Sequence, residues 1–218
     1  MSNSNHIAAI AELSESEGVF TTAQAGRMGI SRDALHDAVQ SGRLERIMRG
    51  AYRMVGSGSS YLDELAAVWK LTAPSKLTHE RMRFSEWDGV VVGGHTASSL
   101  LGFGDFHLSP YRLYAPMRVN TRKLSVSFSK RGVSRDEAMF FQGLPVTRPE
   151  RTIFDLVLDE EDSSLVAGAL RDAALKGQSF DFGRLSALLR STYKPTRADA
   201  IFEGLMADAG LTYGEAGR

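Results

Sequence analysis

The sequence from residue 14 to residue 54 reads SESEGVFTTAQAGRMGISRDALHDAVQSGRLERIMRGAYRM. Thr22 can cap a helix over residues 23–28, and Gly29 can end that helix because glycine adopts positive φ at little cost. Ser31 can cap a second helix, which Gly42 ends in the same way. The pattern therefore predicts two short helices that meet at a glycine turn.

The second predicted helix has one apolar face and one polar face. Leu35, Ala38 and Val39 recur at i, i+3 and i+4, which predicts a buried stripe. Ile30 and Leu35 have the N′ and N4 spacing of a hydrophobic staple. The polar face consists of Arg32, Asp33, His36, Asp37 and Gln40. We expect this polar face to be exposed.

A short hairpin is predicted directly after the second helix. Residues 44–54 read as two strands around Arg49-Gly50, a pair that suits a tight turn. This region and the residue before it hold four arginines and one acid, Glu45; the arginines are Arg43, Arg46, Arg49 and Arg53. Because guanidinium groups match phosphate geometry bidentately, such a hairpin is suited to contact a phosphate backbone.

Helix, glycine turn, helix and basic hairpin, in that order, predict a winged helix-turn-helix, which is a DNA-binding module. The predicted DNA-binding residues are Thr22, Gln24, Ser31, Arg32, His36, Gln40, Arg43, Arg46, Arg49 and Arg53. Two alternatives stay open at this point. Small helical domains that do not bind DNA also contain helix–glycine–helix patterns, and four arginines also occur on solvated surfaces.

Two acids on the polar face bear on the kind of DNA binding that is expected. Asp33 and Asp37 would repel phosphate, although an aspartate can accept a hydrogen bond from the amino group of cytosine. The sequence therefore predicts weak non-specific binding together with a preference for particular sequences.

Composition limits the classes of protein that remain. The chain has 218 residues, 43% of them hydrophobic and 24% charged, with a formal net charge of zero and no cysteine. The absence of cysteine excludes disulfides and cysteine-ligated zinc, and it suits a reducing compartment. No stretch approaches the roughly 20 apolar residues of a membrane helix, and residues 1–6 lack the apolar region of a signal peptide. We expect a cytoplasmic protein without a cofactor.

Charge is distributed unevenly along the neutral chain. Residues 106–135 contain seven basic groups and no acid, whereas residues 155–162 contain five acids and no base. The basic segment predicts a surface that faces DNA or a protein partner. Its candidate residues are Arg112, Arg118, Arg122, Lys123, Lys130 and Arg131. The alternative is that the two segments neutralise each other within one fold.

The run Gly-Ser-Gly-Ser-Ser at 56–60 is the clearest break in composition, because such runs form flexible linkers. We therefore predict a DNA-binding domain at 1–56 and a second domain at 61–218. The apolar run at 90–92 predicts a buried strand. The segments at 111–116, 124–129, 138–141 and 144–147 predict half-buried antiparallel strands. Helically spaced apolar residues dominate after Pro149. The predicted fold class is α+β, with a mixed second domain and a helical C-terminal third.

No catalytic or metal-binding pattern is found in the sequence. His79-Glu80 begins like the helix of a zinc protease, but Arg83 stands where the second histidine would be. Gly102 and Gly104 lack the third glycine of a dinucleotide-binding loop, since His107 occupies its position. Arg151 and Asp155, four residues apart on a predicted helix, are interpreted as a structural ion pair. We expect a protein that is not an enzyme.

Three segments in order resemble the AbiEi family of antitoxins. They are the winged-helix region, GHTASSLLGFGD at 94–105, and LPVTRPERTIFDL at 144–156. The resemblance implies a bacterial antitoxin of a type IV toxin–antitoxin system. It implies that the first domain represses its own operon at upstream inverted repeats, and that the second domain opposes a nucleotidyltransferase-type toxin. Direct contact with that toxin is not required in such systems.

Two other functions remain as alternatives to the antitoxin. One is a winged-helix transcription factor whose second domain senses a ligand and which has no toxin partner. The other is a winged-helix protein with a nuclease-like second domain. The nuclease is disfavoured because the carboxylates cluster after the predicted strands and lack a neighbouring strand lysine.

Overall fold

The computed structural model describes residues 3–57, 60–121, 123–176 and 180–212, with side chains from residue 6 onward. The chain divides into two compact units, Met1–Asp88 and Gly89–Arg218. They are called unit 1 and unit 2 below, and each is described separately. The predicted α+β fold class is confirmed.

Unit 1 combines helices with a small antiparallel sheet. Its strands pair in the order β1-β3-β2. The elements are α1 (Asn3–Glu17), β1 (Phe20–Thr21), α2 (Thr22–Arg27), α3 (Arg32–Gln40), β2 (Leu44–Met48), β3 (Ala51–Met54), α4 (Asp63–Leu71) and α5 (Thr78–Arg81). A core that includes Ile10, Phe20, Leu35 and Leu44 joins α1 and α3 to the sheet. This core fixes α3 and the β2–β3 hairpin as parts of one module.

The caps of the two short helices explain where they begin. Ser31 caps α3 as predicted, and its hydroxyl accepts a hydrogen bond from the Ala34 N–H. The predicted cap of α2 was wrong by one residue, because the cap is Thr21 and Thr22 is the first helical residue. Thr21 and Gln24 form a reciprocal capping box, in which each side chain accepts from the backbone N–H of the other.

The boundary between the compact units lies after Asp88, not at the Gly/Ser run of residues 56–60. The physical reason is that α4 and α5 pack against α1 through a buried ion pair. The Lys70 ammonium contacts the Glu17 carboxylate, and Thr78 donates its N–H and its hydroxyl to that carboxylate. Both charged side chains are 3% exposed. Residues 61–88 therefore belong to the structure of unit 1.

Unit 2 begins with a mixed five-stranded sheet and ends in helices. The sheet order is β6-β5-β4-β8-β7. The elements are β4 (Val91–Val92), α6 (Gly94–Leu101), β5 (Tyr111–Ala115), β6 (Val126–Lys130), β7 (Ala138–Phe141), β8 (Leu144–Thr147), α7 (Pro149–Leu158), α8 (Ser163–Lys176), α9 (Phe182–Thr192) and α10 (Pro195–Ala209). The helical C-terminal third is thus confirmed. Pro149 is the first residue of α7, where its missing N–H is tolerated.

The predicted strands are found, but their directions are partly wrong. The β7–β8 hairpin is antiparallel with the predicted bounds, and β4 is antiparallel to β5. In contrast, β5 and β6 are parallel, as are β4 and β8. Leu124, the first residue of the segment predicted as a strand at 124–129, precedes β6 and is 99% exposed. Alternation predicts which residues form a strand, whereas direction depends on connections that it does not encode.

The core of unit 2's helical part lies among α7, α8, α9 and α10. Ile153, Leu170, Leu185 and Leu189 are each fully buried in it. Among the described residues, no helix is both long enough and apolar enough to span a membrane.

Candidate DNA-binding surface

The outer face of α3 is exposed as predicted. Leu35 and Ala38 are buried in the core, while Arg32, His36 and Gln40 face solvent. These three residues are spaced by four along the helix, so they form one stripe on its surface. The stripe can reach the base edges of a DNA groove if α3 acts as the recognition helix.

The wing is the β2–β3 hairpin, which turns at Arg49-Gly50 as predicted. Gly50 has φ of +86°, a conformation that glycine adopts without strain. The Gly50 carbonyl accepts a hydrogen bond of 3.0 Å from the Thr22 N–H, which ties the wing to the start of α2. One extra residue on β2 between Arg46 and Met48 forms a β-bulge. The wing is therefore short and anchored at its turn.

Four arginines of this surface have side chains that face solvent. Arg32, Arg43, Arg46 and Arg49 are exposed, and no described residue forms an ion pair with any of them. Asp33 and Asp37 on α3 are exposed as well. Four guanidinium groups against two carboxylates leave the surface positively charged in a chain of zero net charge. Positive charge and unused donors are what a phosphate backbone requires.

Two predicted contacts near α2 have structural roles instead. Gln24 is fully buried, and its amide nitrogen donates to the Lys76 carbonyl and the Glu17 carboxylate at 2.8 and 3.2 Å. Thr22 is half-buried, and its N–H is used by the wing turn. The start of α2 is also tied to residues 74–76, because the Thr21 hydroxyl donates to the Pro74 carbonyl and the Gln24 amide to the Lys76 carbonyl. The burial of Gln24 and the use of its amide within unit 1 do not favour the predicted contact with DNA.

Arg53 was also predicted to contact DNA, but its guanidinium lies inside unit 1. Its side chain is 9% exposed, and it forms ion pairs with Glu45 and with Asp63, the latter at 3.0 Å. Ala51 and Arg53 lie on the buried face of β3. Tyr52 between them lies on the other face, where it pairs with Arg46 of β2. Arg53 therefore connects the wing to α4.

We expect Arg53→Ala to reduce stability and Arg49→Ala to reduce DNA affinity. Loss of Arg53 leaves Asp63, 15% exposed, without its cation, so the free energy of unfolding should fall by about 2 kcal/mol. Arg49 is exposed and unpaired among the described residues, so its loss should change stability by less than about 0.5 kcal/mol. Chemical unfolding and DNA titration of both variants would check this. If Arg53 contacts DNA from the wing, Arg53→Ala should instead reduce DNA affinity and leave stability nearly unchanged.

The second predicted basic surface is only partly a surface. Arg131 bonds Asp155 and Asp159 at 2.9 and 2.6 Å, and Arg112 is half-buried and donates to Ser129 at 2.7 Å. The exposed members are Arg118, Lys123 and Lys130, and Arg122 lies outside the described residues. The two charged segments thus neutralise each other in part, which was the alternative left open by the sequence.

An ion-pair network around the buried Asp155 connects α7 to the segment between β6 and β7. Asp155 has no exposed side-chain surface and accepts bonds from Arg131 and Arg151 at 2.9 and 3.0 Å. Arg151 also pairs with Glu137 at 2.7 Å. The predicted Arg151–Asp155 pair is confirmed. Tyr114 donates to Asp159 at 3.0 Å, and the Arg131 guanidinium lies 4.4 Å from the centre of the Tyr114 ring.

Burial raises the pKa of Asp155 from 3.8 to about 6, against the lowering effect of Arg151 and Arg131. The folded state then keeps this proton to higher pH than the unfolded state does. The contribution of Asp155 to stability is therefore greatest below about pH 4 and declines by about 2–3 kcal/mol as the pH rises to about 6. Carboxyl NMR should give Asp155 a midpoint near 6 and Asp136 a midpoint below its ordinary value. A midpoint for Asp155 below 3.8 would mean that the arginines outweigh burial.

No described residues form a group of three or more His, Cys, Asp or Glu side chains that could hold a metal ion. The histidine of the 94–105 segment, His95, is 16% exposed and lies 2.8 Å from the Pro110 carbonyl and 3.7 Å from Glu161. Its neighbour Thr96 is buried and donates to the Leu108 carbonyl. These contacts connect α6 to the segment before β5 and to Glu161, which lies between α7 and α8, so both side chains have structural roles.

Helix, turn, helix and hairpin around one core define unit 1 as a winged helix-turn-helix module. The comparison with protein families agrees: residues 8–55 match the family described as "Transcriptional regulator, AbiEi antitoxin". The matched residues contain α2, α3 and the wing. The resemblance predicted from sequence is thereby confirmed for this part of the chain, and it supports a role as an antitoxin and DNA-binding regulator.

The fold of nearly the whole chain also has a counterpart among solved structures. The crystal structure of the RV2827C protein from Mycobacterium tuberculosis matches with a TM-score of 0.58 and 16% sequence identity. The match covers 93% of this chain and 76% of that one. At this identity the likeness establishes a shared fold. Among curated proteins, no sequence match is found.

Proposed function

We propose that this protein is the antitoxin of a type IV toxin–antitoxin system and represses its own operon. Unit 1 binds inverted repeats upstream of the operon, with α3 in the major groove and the wing on the phosphate backbone. The observation that carries the DNA-binding role is the set of exposed arginines on α3 and the wing, which form no ion pair with any described residue. The family match of residues 8–55 supports the regulatory role.

Unit 2 counteracts a nucleotidyltransferase-type toxin in this proposal. That step rests on the resemblance of residues 94–105 and 144–156 to the antitoxin family. Much of the second segment is buried, including Thr147, Arg151 and Asp155. Its motif residues therefore stabilise the fold of unit 2, and the surface that opposes the toxin is formed by other side chains.

Co-expression of the full chain with the neighbouring reading frame tests the antitoxin role and the repressor role separately. We expect that frame to encode a nucleotidyltransferase whose expression arrests growth unless this protein is present. An Arg46→Ala, Arg49→Ala double variant should lose repression of an operon reporter and still permit growth. Loss of repression together with loss of rescue would connect both effects to DNA binding. A harmless neighbouring product would contradict the antitoxin role.

A ligand-responsive regulator is the second candidate. A cavity of about 570 Å³ lies beside α9 and α10, where it is lined by Phe202, Met206 and the Arg190–Asp199 ion pair. This volume lies within the range of small-molecule sites. If a small molecule shifts operator affinity and no toxin gene is adjacent, this second function is favoured over the first.

A further inference from the structure

A second, smaller groove in unit 2 has features of a protein-docking site. It lies between the start of α8 and the C-terminal half of α10, and we call it the α8–α10 groove. Its apolar walls include Val166, Ile201 and Leu205, and its volume is about 250 Å³. That is below the range of roughly 300–1,000 Å³ typical of small-molecule sites. The groove has room for one large side chain of a partner.

A glycine keeps this groove open. Gly204 lines it from α10, and a Cβ atom built at Gly204 would meet no atom within 4 Å. The backbone there is helical, and glycine in a helix interior costs about 1 kcal/mol relative to alanine. The backbone conformation of Gly204 does not require glycine. We therefore attribute this glycine to the groove, which a larger side chain would fill.

The rim of the groove is acidic. Glu161 and Asp208 line it, and none of its described lining residues is lysine or arginine. Glu160 and Asp162 flank Glu161 in sequence and are exposed. Arg171 donates to the backbone carbonyls of residues 208 and 209 and not to a rim carboxylate. His95 lies 3.7 Å from Glu161, and Asp208 forms no ion pair with a described residue. The local charge therefore repels phosphate and attracts cations.

We propose that the α8–α10 groove binds a cationic segment of another protein, which inserts one large apolar side chain between α8 and α10. The apolar walls supply the anchor site, and the carboxylates of the rim pair with lysine or arginine residues that flank the anchor. Anchors of this kind carry most of the energy of small interfaces. All residues that line the groove lie in unit 2, and none of them belongs to the predicted DNA-binding residues of unit 1.

The test uses the full chain and a fluorescein-labelled, alanine-based helical peptide with one central leucine flanked by lysines. Two control peptides replace the lysines by glutamate or the leucine by alanine. We expect the lysine–leucine peptide to bind, as measured by fluorescence anisotropy, and to shift the amide NMR signal of Gly204. We expect both control peptides to bind at least about tenfold more weakly.

Two glycine variants form a matched pair. Gly204→Leu fills the groove and should weaken binding of the lysine–leucine peptide by about tenfold. Gly168→Leu adds the same side chain on α8, at a position that is also open but does not line the groove, so it should leave binding unchanged. Both replacements favour the helix, since leucine is a better helix former than glycine. Equal binding by the two variants would overturn the proposal.

A second variant tests the charges and does not depend on filling the groove. Glu161→Gln with Asp208→Asn should weaken the lysine–leucine peptide and reduce the salt dependence of its binding. Operator DNA binding should stay the same in this variant and in Gly204→Leu, which separates this proposal from the DNA-binding function. If the glutamate peptide or DNA binds the groove equally well, the proposed partner chemistry is wrong.

Discussion

Replacing Lys70 by alanine should lower the free energy of unfolding of unit 1 by about 3–5 kcal/mol. The Lys70 ammonium and the Glu17 carboxylate are each 3% exposed, and the ammonium also donates to the Thr78 hydroxyl at 2.7 Å. Burial lowers the pKa of Lys70, and Glu17 opposes this effect. The alanine variant leaves the Glu17 carboxylate buried without a counter-charge, and this is a large penalty.

Urea unfolding monitored by tryptophan fluorescence would measure this loss in unit 1 alone. Both tryptophans of the chain, Trp69 and Trp87, lie within Met1–Asp88. Lys76→Ala is the matched control, because Lys76 pairs with Glu86 at 2.9 Å while both side chains are more than 40% exposed. Such a pair contributes about 0–1 kcal/mol. Equal losses for the two lysine variants would contradict a structural role for the buried pair.

Removing both charges of the buried pair should be milder than removing one. Lys70→Met with Glu17→Gln leaves no isolated charge, and the amide of the new glutamine can still accept from Thr78. We expect this double variant to recover most of the stability that Lys70→Ala loses. If the double variant is as unstable as Lys70→Ala, then the ion pair itself, and not the unpaired carboxylate, determines the loss.

Helix α3 and the β2–β3 hairpin were predictable from sequence because their signals are local. Ser31 as a cap, the stripe of Leu35 and Ala38, and the Arg49-Gly50 turn each depend on residues within a few positions. Two of the predicted DNA contacts, Gln24 and Arg53, also carry local signals of a structural role. Thr21 and Gln24 match the capping-box spacing. Alternation from Ala51 places Arg53 on the buried face of β3.

The extent of unit 1 could not be predicted from local patterns. Lys70 and Thr78 meet Glu17 from 53 and 61 positions away, and neither residue carries a signal of that pairing. The Gly/Ser run at 56–60 predicted a linker, and composition alone does not show that the following helices fold back. Local patterns also do not predict the parallel pairing of β5 with β6 or the contact of Arg131 with Asp155, because these join residues that are distant in sequence.

Replacing Arg43, Arg46 and Arg49 together by alanine should weaken operator binding by roughly a thousandfold at low salt, at about tenfold for each lost phosphate contact. All three side chains are exposed and have no ion-pair partner among the described residues, so the folded state loses little when they are removed. Each contact releases about 0.9 counterions, so the slope of log K against log salt should become shallower by about three. Gel shifts or anisotropy over a salt series would measure both quantities.

Arg27→Ala distinguishes wing contacts from a general effect of positive charge. Arg27 is 44% exposed but already bonds both oxygens of Glu80, which lowers the pKa of that carboxyl to about 2. Its loss should therefore leave the salt slope unchanged. Arg32→Ala or His36→Ala should instead reduce the preference for operator over other sequences, because both lie on the exposed stripe of α3. If the triple variant keeps the full salt slope, the phosphate contacts do not lie on the wing, and α3 must bind DNA from a different orientation.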